Sequence, residues 1–199
     1  MGIEEQLKYI HEKLDNKCMF IDGLHVQMLI DRSIGNNNKG SKRWINKLFS
    51  FNAADFYKNC EKLLEQMYHI DEPELRLYSS VNARNQTKAF REYACKLINN
   101  SDNLDFWKSI NNQFVSCLMT PENRASNYWL IDLDEGSTAA YNELLKMIPL
   151  GCLITSYATP NGWHLITKGF DMRIPVQFPN VEVKRDGLLL LTTLWKQSE

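Results

Sequence analysis

Two carboxylates stand one residue apart in the stretch NYWLIDLDEG, residues 127–136. Asp132 and Asp134 follow an apolar run that reads as a buried strand. Residues two apart in a strand share a face. If the strand continues through 134, both side chains project the same way. Anions so placed repel and raise one another's pKa unless a cation lies between them. Oxygen ligands at this spacing suit Mg2+ or Mn2+, hard ions that keep several waters and bridge to phosphates. The alternative is a strand ending at Ile131, with DLDEGS as its polar exit and a helix cap. The pair alone does not choose between the two.

Two further stretches carry chemistry. TPNGWHLIT, residues 159–167, is a tight turn leading into a strand whose early residue is His164. Gly162 shares a face with His164 and leaves room for close approach to the backbone. Histidine before core-like residues is also the pattern of a hydrogen-bonded, partly buried side chain. In NVEVKRDG, residues 180–187, Glu182 and Lys184 face one way and Val181 and Val183 the other. Glu182 could complete a set of three carboxylates, with Lys184 and Arg185 contacting phosphate. Taken by itself, the stretch is an amphipathic strand ending in an Asp186-Gly187 turn.

The elements that must position these residues follow from periodicity. Residues 3–14 place Ile3, Leu7, Ile10 and Leu14 at helical spacing. Residues 24–31 read as a strand, and 53–68 as a helix with Phe56, Cys60, Leu63, Leu64 and Met67 on one face. Residues 74–82 read as a strand, 86–99 as a helix with Thr87 as cap, and 103–117 as a further helix. Residues 137–148 form a helix capped by Ser137. Strand-like pieces at 151–159, 162–170, 180–187 and 188–195 complete the chain. After the 24–31 strand, residues 32–43 make a turn-rich loop with four basic residues, either a solvated hairpin tip or a phosphate-contacting loop.

Composition bounds the class. A chain of 199 residues, 44% hydrophobic and 24% charged, holds one compact unit with ample burial. A net charge of -1 provides no global field for nucleic acid, so any such site must be local. The five cysteines, Cys18, Cys60, Cys95, Cys117 and Cys152, form no C-x-x-C pair and fit reduced thiols. With no signal-like apolar run and no span-length apolar segment, a soluble cytoplasmic protein is expected. The expected fold is α+β: an antiparallel or mixed sheet flanked by helices, with residues 1–70 as a helical and strand-bearing N-terminal part packed on a core of residues 71–199.

Taken together, D-x-D at a strand end, turn–Gly–x–His, and an acidic residue beside basic ones resemble the archaeo-eukaryotic primase superfamily. The resemblance covers roughly residues 75–195 and is to the phage or mobile-element type. It implies an RRM-like catalytic sheet and a metal-dependent nucleotidyltransferase that extends a strand on a single-stranded DNA or RNA template. Asp132, Asp134 and Glu182 would hold Mg2+ or Mn2+, and His164 would contact the triphosphate of a nucleoside triphosphate. Lys184 and Arg185 would be secondary phosphate contacts. LYSSVNARN, residues 77–85, resembles a segment of some phage and plasmid members in which an arginine faces the nucleotide, here Arg84. The family's serine is replaced by Gly162, with Thr159 and Asn161 as polar substitutes in the turn. No zinc module of cellular primases has a counterpart. The resemblance implies a helicase or replication partner, no membrane, and the host cytoplasm for a viral protein.

Other classes compete. A two-histidine phosphoesterase needs H-x-[ST] strands, but Thr167 lies on the face opposite His164, and His25-Val26-Gln27 lacks the hydroxyl. A metal-dependent nuclease could use Asp132, Asp134 and the Glu182-x-Lys184 string. A non-catalytic module of primase-like fold could bind nucleic acid or protein through the 32–43 loop and Tyr78, Trp129 and Trp163.

Overall fold

The computed structural model describes residues 2–14, 23–32, 43–135, 137–159, 161–171, 173, 175, 178 and 180–195. The 33–42 part of the basic loop, Cys18, Gly136 and Pro160 lie outside the described residues. The chain is α+β. Its elements run α1 (Ile3–Leu14), β1 (His25–Asp31), β2 (Arg43–Ser50), α2 (Ala53–His69), β3 (Glu74–Ser80), α3 (Gln86–Asn99), α4 (Leu104–Lys108) and α5 (Ile110–Met119). There follow β4 (Tyr128–Asp134), α6 (Thr138–Met147), β5 (Leu153–Thr159), β6 (Gly162–Lys168), β7 (Val181–Lys184) and β8 (Leu188–Trp195). No helix among the described residues is long and apolar enough to cross a membrane.

Among the described residues, two four-stranded sheets form, ordered β2-β1-β3-β8 and β5-β6-β4-β7, with every pairing antiparallel. The second sheet has the RRM-like order, with its first strand β4 central and α6 crossing to the β5 edge. That sheet is narrower than the 71–199 core expected for it. β3 and β8 pair instead with the β1–β2 hairpin of the N-terminal part, so residue 70 is not a boundary between sheets.

Alternation explains the layers. On β1, Val26, Met28 and Ile30 face α3 and α5, whereas Leu29 faces α1 and α2. On β4, Leu130 joins Tyr157 and Ile166 in the core under α1 and α2, while Ile131 and Leu133 pack on Leu144 and Ile148 of α6. Each fully buried aliphatic side chain contributes about 1.5–3 kcal/mol. Helix α1 packs on α2 and touches β5 and β8, so it ties the two sheets together.

Three local expectations change. Asn85, not Thr87, caps α3, its side chain accepting from Lys88 N at 3.0 Å. The helix expected over 103–117 breaks at Ser109 into α4 and α5. β2, unexpected from the sequence, is an edge strand. Ser137 does cap α6, accepting from Ala140 N at 3.2 Å.

Candidate functional site

β4 continues through Asp134, so Asp132 and Asp134 share a face. Asp132 is directly opposite His164 of β6 on one side and Glu182 of β7 on the other. His164 is in turn opposite Tyr157 of β5. Residues opposed across neighbouring strands lie on the same face. Glu182, Asp132, His164 and Tyr157 therefore form one row across the whole sheet.

The row is hydrogen-bonded. His164 Nε2 lies 3.1 Å from Asp132 Oδ1, and Lys184 Nζ is 2.8 Å from Asp132 Oδ2 and 2.8 Å from Glu182 Oε2. An ionised carboxylate only accepts, so His164 donates from Nε2. Its Nδ1 then faces the Tyr157 hydroxyl at 2.9 Å, which also lies 3.3 Å from the Leu190 carbonyl. A neutral imidazole accepts the hydroxyl proton at Nδ1. A protonated one donates to the hydroxyl oxygen, whose own proton then goes to Leu190. Burial alone would raise the Asp132 pKa, but hydrogen bonds from His164 and Lys184, together with their charges, hold it down at about 2. Burial acts to lower Lys184, and its bonds to Asp132 and Glu182 outweigh it, so its pKa is raised. Burial pushes Tyr157 well above the usual phenol range.

Backbone clips fix the open end of β4. Asp134 N–H donates to Asn180 O at 3.0 Å and Glu135 N–H to Asn161 O at 2.7 Å. Asn180 (φ 62) and Glu135 (φ 54) adopt the left-handed conformation there. Gly162 is opposite Asp134, and a Cβ at Gly162 would collide with the Leu133 carbonyl oxygen. The glycine thus serves the approach of β4, rather than the approach of a ligand.

This face opens on a cleft of about 500 Å³. Asp132, Asp134, His164, Lys184, Thr159 and Asn161 line one wall. Arg32, Arg76, Tyr78 and Ile30 of the first sheet line the other, with β8 residues including Leu190 and Trp195 between. Arg76 is held by Glu74 (Nε–Oε1 2.6 Å) and reaches the Tyr78 hydroxyl at 3.4 Å. Among the described residues, the cleft thus sets three cations beside two carboxylates.

Among the described residues, no group of three or more His, Cys, Asp or Glu side chains is gathered closely enough to hold a metal ion. Both Asp132 oxygens are engaged, and the Lys184 ammonium stands between Asp132 and Glu182. The three carboxylates expected as ligands share a face without converging on a point.

No family model, curated protein or solved structure matches this chain.

The remaining expected site residues fall elsewhere. Arg84 has a side chain with 0% exposure and makes a bidentate pair with Asp186, at 2.7 and 2.8 Å. It lies outside the cleft lining and joins the exit of β3 to the β7–β8 turn. Asn82 completes that junction, bonding Tyr128 N and O and the Arg185 carbonyl. Arg185 lies over the Trp129 ring, 5.6 Å from its centroid, and is also absent from the lining. Trp129 is buried, and Trp163 stacks on Tyr141, so of the three aromatics singled out only Tyr78 reaches the cleft.

Sequence reasoning missed Tyr157, buried behind His164, and the cleft-lining Arg32 and Arg76. Tyr157 was within reach of it. Pairing Thr159 with Gly162 across the turn and counting back two places sets Tyr157 opposite His164. Arg32 and Arg76 carry no such local signal, because they enter from the other sheet.

Proposed function

We propose that the chain is a metal-dependent nucleotidyltransferase of the primase-polymerase kind, adding nucleotides to a strand on a single-stranded template. The observation that supports it is the row Glu182–Asp132–His164 across β7, β4 and β6 of an RRM-like sheet, with Asp132, Asp134 and His164 facing a cationic cleft. The carboxylate oxygens are donors of the type a hard divalent ion takes, although the three carboxylates do not converge on one point in the structure. Asp132 is held ionised far below neutral pH, Asp134 is exposed beside it, and a cation, the Lys184 ammonium, already lies between Asp132 and Glu182. Asp132 and Asp134 would hold Mg2+ or Mn2+, with Glu182 as the third carboxylate. The ion would lower the pKa of the attacking hydroxyl and stabilise the leaving pyrophosphate.

The chain's own groups do the rest. Tyr157 and His164 fix the Asp132 carboxylate in one orientation. With both ring nitrogens engaged, His164 is a positioning residue here rather than a free phosphate contact. Lys184, Arg76 and Arg32 offset charge on the triphosphate. Asn161 at the turn offers amide hydrogen bonds to phosphate or sugar. The 3′ hydroxyl oxygen attacks the α-phosphorus, pyrophosphate leaves, and the hydroxyl proton passes to water.

The test is extension of a primer on a single-stranded template with Mg2+ or Mn2+ and nucleoside triphosphates. Asp132→Asn should reduce it to background. A second reading is favoured by one observation: Glu182 and Lys184 flank Asp132 as the carboxylate–lysine set of a nuclease does. Under that reading the strand is shortened without any triphosphate.

A further inference from the structure

The first sheet carries a second depression, of about 680 Å³, between its β2 edge and helices α3 and α5. Trp44 (44% exposed) and Phe90 (61% exposed) stand at it, with Tyr93 and Phe114 deeper. Lys47 Nζ lies 4.7 Å from the centroid of the Trp44 ring and donates to Asn112 Oδ1 at 2.7 Å. Among the described residues, no carboxylate lines it. The sequence from 32 to 54 that leads into and through β2 contains Arg32, Lys39, Lys42, Arg43 and Lys47 and no acidic residue.

We propose that this groove binds a single-stranded nucleic acid and delivers it to the cleft; the delivery rests on the nucleotidyltransferase reading of the cleft. Register provides the connection. Trp44 pairs with Ile30, and Ile30 pairs with Arg76. Paired residues share a face, so Trp44, Ile30 and Arg76 form one row across β2, β1 and β3. Ile30 and Arg76 line the cleft, and Trp44 lines the groove. Neighbouring strands lie about 4.8 Å apart, so Trp44 and Arg76, either side of the buried Ile30, stand about 10 Å apart, a span about three stacked nucleotides cover at ~3.4 Å each. Exposed aromatics stack on bases of any sequence, and basic residues track the phosphates. Lys47, with no carboxylate among the described lining residues, favours a polyanion over an apolar protein segment, against a whole chain of net charge -1.

The experiment measures binding of fluorescent oligo(dT) and oligo(U) to the full chain without nucleotide, for the wild type, Trp44→Ala, Phe90→Ala and Lys47→Ala. Each aromatic variant should weaken binding by about five- to a hundredfold with an unchanged melting temperature. Lys47→Ala should lower the slope of log affinity against log salt by about 1. Affinities within about twofold of wild type for both aromatic variants would overturn the proposal, as would absence of binding to either oligonucleotide at low salt. It is equally overturned if the groove instead mediates self-association that Trp44→Ala abolishes. Strand binding through the groove with no nucleotide addition would sink the transferase reading and leave the groove assignment standing. Nucleotide addition with wild-type binding in both aromatic variants would do the reverse.

Discussion

Asp132 is the residue on which the site turns. It sits in the middle of its sheet with one oxygen on His164 and the other on Lys184, and the two donors keep it ionised with a pKa of about 2. Lys184 is therefore an internal competitor for any divalent ion. Lys184→Met should release both Asp132 Oδ2 and Glu182, so that Mn2+ raises the melting temperature of the variant more than that of the wild type. The same variant should bind a triphosphate more weakly, because it loses a cation at the cleft. An unchanged response to Mn2+ would mean that the metal does not use these carboxylates. Burial depresses the Lys13 pKa to about 7, although the ammonium donates to Leu191 O at 3.2 Å and lies over the Tyr9 ring. Its folded pKa lies below its unfolded value, so the unfolded chain binds more protons between about 7 and 10.5 and stability rises with pH in that window. Lys13→Met should accordingly stabilise the fold, fully below pH about 7 and by less as pH climbs towards 10.5. Denaturant titration at several pH values reads this directly.

At the scale of elements, the hairpin and the strand it presses on depend on Gly162. Gly162→Ser, the residue type that the primase resemblance would put there, should destabilise the fold by about 1–3 kcal/mol or more, because the obstacle is the β4 backbone rather than a movable side chain. Recovery of wild-type stability in that variant would contradict the close packing of β6 on β4. The junction of Arg84 with Asp186 is the second such point. Arg84→Ala leaves a buried carboxylate uncompensated and should cost about 3–5 kcal/mol in chemical denaturation. Much of this architecture was legible in the sequence. The helical spacing of residues 3–14 and 53–68, and the alternation around Asp132, His164 and Glu182, reflect burial on one face and so declare themselves locally. β2 did not declare itself: RWINKLFS is a partly exposed edge strand with apolar and polar residues on both faces. The break at Ser109 was hidden by continuous helical composition. Arg84 read as a ligand contact because its partner lies 102 residues away, beyond any local pattern.

For the whole molecule, the cleft exists because two sheets of different make-up meet. The second brings the carboxylate row, and the first brings Arg32, Arg76 and Tyr78. Its far wall was not legible, since β1 and β3 reach it through pairings that bring β8 back from the chain's end. Helix α1 closes the assembly by bonding both α2 (Gln6–Tyr68, 3.0 Å) and β8 (Thr192–Gln6, 3.3 Å). The role argued for the molecule is strand extension at the wall between the sheets. The most direct measurement is primer extension on a single-stranded template, comparing the wild type with Asp132→Asn at matched folding. Product should require both a triphosphate and Mg2+ or Mn2+, and the variant should lose more than about a hundredfold, beyond the 10–100-fold scale of outer-shell changes. Absence of product from the wild type, with no shift in its melting temperature on adding Mn2+ and nucleotide, would contradict that role.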